Sequence, residues 1–185
     1  MSSYAMSPYA LSLHALAVPT FAQMLRGLSA QLDKGEALAK AKGFDPAVLI
    51  NARLAPDMFP LAAQVRFTCY QATDAAAKLT GLVGPGMPEG EASFEDLKGH
   101  VAVALAFLDG LDPSAFDGAE DRVITLKLPG GVVFEMTGAQ FVRDWALAQF
   151  YFHAVTAYDI LRHNGVELSK RDYVAHALAY LKSPA

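Results

Sequence analysis

The chain has 185 residues, enough for one domain, and 53% of them are hydrophobic, which excludes a disordered segment. A formal charge of -4 removes the electrostatic case for a nucleic-acid partner, and a single cysteine excludes both an internal disulfide framework and a cysteine-based zinc module. Thirty-three Ala and 23 Leu stand against 3 Ile and 13 Val, a balance that favours helix, because Ala and Leu lose little entropy there.

Residues 1–15 read as a loosely held leader before a domain over 16–185. No Lys or Arg precedes Arg26, so the positive start of a secretory signal is missing. The longest clean apolar run, Val101 to Leu108, falls short of the roughly 20 residues that span a bilayer. A cytoplasmic protein with no membrane partner is therefore expected.

The first helix is predicted to start between Leu16 and Pro19, with Pro in its first turn. Phe21, Leu25, Leu28, Leu32 and Ala39 form its apolar stripe, and Gly43 closes it. Asp45-Pro46 reads as the cap and first residue of a short helix over Ala47 to Asn51. A second long helix is predicted from Asp57 to Leu82, with Leu61, Val65, Thr68, Ala72, Ala75 and Leu79 inward. Gly84-Pro85-Gly86-Met87-Pro88 ends it.

Ser93 and Asp96 make a capping-box pattern that opens a third helix through Leu111. Val123 to Leu128 and Val132 to Met136 flank Pro129-Gly130-Gly131 and read as a hairpin, which must lie against the helices to be stable. The fourth long helix runs from Ala139 to His163, before Asn164-Gly165. Ser169 with Asp172 opens a short C-terminal helix on which Tyr173, Leu178 and Leu181 are apolar. The expected fold class is all-α: a four-helix bundle with the hairpin inserted between helices three and four.

On a helical wheel of helix four, Gln149 and His153 fall on the same arc as Val142, Ala146, Thr156 and Ile160, flanked by Trp145 and Phe152. Polar groups there need partners, since each costs about 1–3 kcal/mol when buried unpaired. A satisfied core pair, the floor of a polar pocket and a metal site are all compatible with that pattern. Gln64, Thr68 and Gln71 give helix two a polar edge that could face it. Arg53 and Asp57, in the turn before helix two, read either as an ion pair or as the mouth of the same pocket.

Cys69 falls near an apolar face and reads as an inert thiol. His14, His100, His163 and His176 lack partners at metal-ligand spacing and read as surface residues. No phosphate loop, nucleophile elbow or His-Glu-x-x-His occurs. Tyr151, Tyr158 and Asp144 project from the other side of helix four, a second face that suggests a homodimer.

Three stretches carry a family resemblance: Asn51-Ala-Arg-Leu-Ala-Pro-Asp57-Met-Phe-Pro-Leu-Ala-Ala-Gln64-Val, Ala119-Glu-Asp-Arg122, and Gln149-Phe-Tyr-Phe-His153 continuing to Leu161-Arg-His-Asn-Gly165-Val. Here the chain resembles the bacterial domain of unknown function 1993 family, similar in turn to the DinB/YfiT-like superfamily. The resemblance runs from about His14 to Tyr173. It implies a DinB-like four-helix bundle of up-down-down-up order, often dimeric, with a metal pocket in many members. In those members one His comes from helix two and two come from His-x-x-x-His on helix four. On that alignment His153 takes the second helix-four position, Gln149 the first, and Gln64 the helix-two position.

One imidazole with two amides makes a weak set for zinc or nickel. The expected function is thus a DinB-like bundle that binds a small molecule in a polar pocket of Arg53, Asp57, Gln64, Gln149 and His153 without a tightly held metal. No cofactor and no reaction are named by the sequence. A degenerate metal-dependent transferase or hydrolase, and a structural homodimer with a vestigial pocket, remain as alternatives.

Overall fold

A computed structural model describes residues 11–182. Helix α1 (Leu13–Lys42) begins three residues sooner than Leu16, because the Ser12 hydroxyl accepts from the Ala15 amide and caps it. Residues 13–15 are therefore helix, while 1–10 of the expected leader lie outside the described residues. Pro19 consequently sits in the second turn rather than the first. The predicted stripe faces the core, with Phe21, Leu25, Leu32 and Ala39 fully buried and Leu28 nearly so. Gly43 ends the helix at φ 70°, a left-handed cap.

After the short α2 (Ala47–Ile50), the chain turns through residues 53–60 and enters α3 (Leu61–Thr80). The predicted start at Asp57 is four residues too soon. Phe59 precedes a proline and is kept out of the α region, and Pro60 itself is extended. A turn closed by Met58 N–H on Ala55 O occupies that stretch. All six predicted inward residues of α3 are buried.

Helix α4 (Phe94–Asp109) opens with the predicted reciprocal box of Ser93 and Asp96. The hairpin pairs β1 (Val123–Lys127) with β2 (Val133–Thr137), antiparallel, with Leu126 opposite Phe134. Ile124 and Leu126 turn inward, and Phe134 packs against Trp145.

The predicted fourth helix is one rod of three segments. These are α5 (Gly138–Gln140), a π-helical stretch over Phe141–Ala146, and α6 (Leu147–His163). In the π stretch the Leu147 amide bonds back five residues to Val142. The single turn of α7 (Lys170–Tyr173) follows, and a 3-10 stretch completes the C-terminal region. Leu178 and Leu181, expected on an apolar helical face, are exposed, so that face ends at Tyr173.

The four long helices pack as a ring. α1 lies beside α4 and α6, and α3 also lies beside α4 and α6, so α1 and α3 stand on a diagonal. No helix among the described residues is long and apolar enough to cross a membrane. The hairpin is pinned at its base. Arg122 donates to the Leu79 carbonyl, Ala139 N–H donates to Glu120 O at 3.0 Å, and a Cβ on Gly138 would stand 1.9 Å from Ala119 O. Only glycine permits that approach.

Candidate functional site

The broadest helix contact in the fold is α3 against α6, and it carries the predicted Gln64 and His153. Gln64 is 1% exposed. Its amide nitrogen donates to the Phe59 carbonyl at 3.3 Å, and its oxygen lies 2.8 Å from His153 Nδ1. This pair fixes the imidazole tautomer by elimination. The Phe59 carbonyl can only accept, so the Gln64 NH2 faces it and the Gln64 oxygen faces the ring. That oxygen also can only accept, so Nδ1 carries the proton and Nε2 carries the lone pair.

His153 Nε2 has no hydrogen-bond partner among the described residues. No buried side-chain polar atom is left unpartnered there, so Nε2 reaches solvent. The ring is half-buried, packed against Phe67 at 5.1 Å and edge-on to Phe152 at 5.3 Å. Phe59 in turn stands edge-on to Phe67. Burial pushes the imidazole down from its ordinary range and favours the neutral ring. The result is an oriented, uncharged proton acceptor in an aromatic surround.

Gln149, one turn before His153, is half-buried, and its amide makes no hydrogen bond among the described residues. It therefore also presents polar atoms to solvent. The buried residues of α6 are Phe150, Ala154, Thr156, Ala157, Ile160 and Leu161, and half-buried His153 and Gln149 fall on the Thr156–Ile160 side of that arc. Thr68 does not enter the site, since its hydroxyl donates to the Gln64 carbonyl on its own helix.

Arg53 and Asp57 are both exposed and do not pair. Arg53 instead donates to the Met58 carbonyl, bracing the turn whose next residue, Phe59, holds Gln64. Asp57 makes no ion pair among the described residues. Of the five predicted site residues, the structure brings Gln64 and His153 into contact and sets Gln149 one turn away. It turns Arg53 into a brace for the loop and leaves Asp57 unengaged.

The donor set does not fit the metal site of the wider superfamily. Gln64 spends its oxygen on His153 Nδ1 and its nitrogen on Phe59, which leaves one imidazole nitrogen and the Gln149 amide. No cluster of three or more His, Cys, Asp or Glu suited to a metal occurs among the described residues.

A second polar cluster leaves no mark in the sequence pattern. The side chain of Glu91, in the loop between α3 and α4, is almost wholly buried, and Arg66 donates to both its oxygens at 3.0 and 2.9 Å. Arg66 also reaches exposed Glu89 at 3.1 Å, and His100 Nε2 lies 3.3 Å from Glu91. His100 is thus not a surface residue; the Glu91 carboxylate draws it in. Ser93-x-x-Asp96 marks the start of α4, but nothing in the composition of residues 81–92 marks Glu91 as internal. Nearby Cys69 is fully buried, and its thiol pKa is pushed far up by burial, in line with an inert thiol.

The second face of helix four is partly covered within the chain. Tyr151 and Tyr158 are half-buried, and Tyr158 packs edge-on against Tyr173. Phe152 and Val155 are the large apolar residues that α6 leaves exposed.

Similarity to known proteins agrees with this architecture. A solved structure described as a DinB family member protein from Shewanella denitrificans superposes with a TM-score of 0.80 at 39% identity, covering 88% of this chain and 91% of that one. Comparison with curated proteins gives no match. The family model described as domain of unknown function (DUF1993) matches residues 13–174. With its DinB-like helical bundle and inserted hairpin, the chain belongs to the DUF1993 family.

Proposed function

We propose that this protein binds a small molecule at the α3/α6 seam, with His153 Nε2 as the central hydrogen-bond acceptor and without a tightly held metal. The observation that carries the reading is the Gln64–His153 pair. One imidazole nitrogen is locked by a buried amide while the other is left open to solvent between Phe67 and Phe152. The ligand that suits it carries an N–H or O–H donor beside an apolar or flat body. Gln149 offers a further donor and acceptor one turn away. The Shewanella protein is described only as a DinB family member, so it names no substrate to carry across.

Tag-free protein is incubated with one equivalent of zinc or nickel, dialysed and analysed for metal; far less than one ion per chain is expected. Near-stoichiometric retention overturns the metal-free reading and favours the degenerate metalloenzyme. In parallel, a small-molecule mixture is screened by NMR against wild type and Gln149→Ala. Shifts at the His153 ring that weaken in the variant support the site, and no shift at that ring from any mixture overturns it.

A homodimer belongs to the same proposal. Exposed Phe59, Phe152 and Val155 support it as apolar surface near the seam. Sedimentation is expected to give twice the chain mass, and one chain mass at every concentration overturns this part.

A further inference from the structure

The α3/α6 seam does not end at His153. Gln64 meets His153 at one level, and Gln71 and Trp145 line one cavity at another, so the two helices run antiparallel. Eight residues of helix at about 1.5 Å each set that cavity about 12 Å away. It lies beneath the hairpin and has a volume of about 360 Å³, within the 300–1,000 Å³ that small-ligand pockets usually occupy. Its walls come from three elements: Tyr70, Asp74 and Lys78 on α3, Leu126 and Lys127 on β1, and Trp145 on the π stretch.

Two properties of those walls select a ligand. The first is charge. Asp74 is paired with Lys78 one turn on and accepts from the Tyr70 hydroxyl at 3.3 Å, so its charge is answered. Lys127 makes no ion pair among the described residues. Glu135, diagonal to it across the ladder, is not within ion-pair distance. Strand alternation turns exposed Lys127 away from buried Leu126, so this unanswered positive charge stands at the rim of the cavity, in a chain whose net charge is -4. The second is shape. Trp145 rests against Phe134 at 5.5 Å, and its indole, Leu126 and the Tyr70 ring supply flat apolar surface. The walls are also fixed in place, since Arg122 and Gly138 anchor the hairpin to the end of α3 and to Ala119.

We propose that this cavity binds a small aromatic carboxylate, its ring against Trp145 and its carboxylate on Lys127. The site is separate from the His153 seam and does not depend on the function proposed there. It also accounts for the hairpin, since a two-stranded ribbon adds little to a helical core but here walls a pocket that the helices alone would leave open.

Trp145 is the chain's one tryptophan, so its fluorescence reports on this cavity without ambiguity. The probes are 3-phenylpropionate and its neutral partner 3-phenylpropionamide, titrated into the full chain. The carboxylate is expected to produce a saturable change. The amide should bind about fivefold more weakly, and so should the carboxylate with Lys127→Gln, the effect of about 1 kcal/mol at the upper end for an exposed charge pair. Lys127→Arg should keep the affinity. Lys127 is exposed, so its replacement does not endanger the fold. His153→Ala should leave the titration unchanged, which separates this site from the seam. Absence of a saturable change with the carboxylate, or equal affinities for acid and amide or for wild type and Lys127→Gln, overturns the proposal.

Discussion

Gln64 and Arg66 stand two residues apart on α3 and look into opposite surroundings, as residues at that spacing on a helix must. Arg66 reaches toward the loop before α4. There Glu91 takes two of its hydrogen bonds, Glu89 takes another, and His100 closes the far side of the carboxylate. Every strong group in that cluster has a partner within the chain. Gln64 reaches toward α6, and its one partner there, His153, is left with a nitrogen that nothing in the described residues answers. The first cluster is finished and the second is open. A polar group completed by its own chain fixes a loop; one left incomplete at a half-buried position has something to offer a ligand.

The largest expected effect lies on the finished side. Glu91→Ala removes the counter-charge from an Arg66 side chain only 11% exposed, leaving it with exposed Glu89 alone. Breaking a buried pair from one side costs about 3 kcal/mol. Urea unfolding should show the loss as a lower midpoint with an unchanged slope. A loss under about 1 kcal/mol would erase the distinction between the clusters.

On the open side the effect is smaller. His153→Ala frees the Gln64 oxygen, but the site is half-open and water can replace the ring. The expected cost is about 1 kcal/mol or less by the same measurement. A cost above about 2 kcal/mol would return His153 to the structural core and place it with Arg66 and Glu91.

The smallest effect is in acid. Burial holds His153 below its ordinary value, so the folded chain takes up this proton less readily than the unfolded one. The stability this contributes is complete above the unfolded imidazole value, about 6.5, and is lost as pH falls below it through the folded value. Titrating the His153 ring proton by NMR should give a midpoint below that of a free histidine. A midpoint above it would mean that an unrecognised negative charge, not desolvation, governs the site.

Much of this arrangement is legible in the sequence because periodicity reports burial directly. The stripes of α1 and α3 and the capping box of α4 follow from residue spacing, and the hairpin from its turn residues. That His153 meets a polar group of α3 is legible for a related reason, since polar residues on an apolar arc must find partners, but spacing does not choose among Gln64, Thr68 and Gln71, and only the resemblance singles out Gln64. What escapes has a physical basis too. Arg53 and Asp57 have ion-pair spacing, but Arg53 finds a carbonyl at Met58 that spacing cannot show. Glu91 lies in a loop without periodicity, so its burial leaves no pattern. Asp57 looks like the start of a helix because helical caps and proline-rich turns use the same residues, and Phe59 before Pro60 decides between them.

The π-helical stretch from Phe141 to Ala146 has a consequence for how this chain can change length. It holds one residue more than an ordinary helix needs over the same rise. Deleting one residue there would let the ladder close as an ordinary helix and leave the segments on either side in nearly the same register, because a wide turn absorbs its extra residue within about the same rotation and rise. In a plain α-helix the same change would turn the hairpin by about 100°, a swing that Gly138, wedged against Ala119, and Arg122, tied to Leu79, do not allow. A chain one residue shorter at this point keeps its hairpin docked and His153 beside Gln64 together. The wide turn is thus the place along this rod where the chain can lose a residue without moving either half.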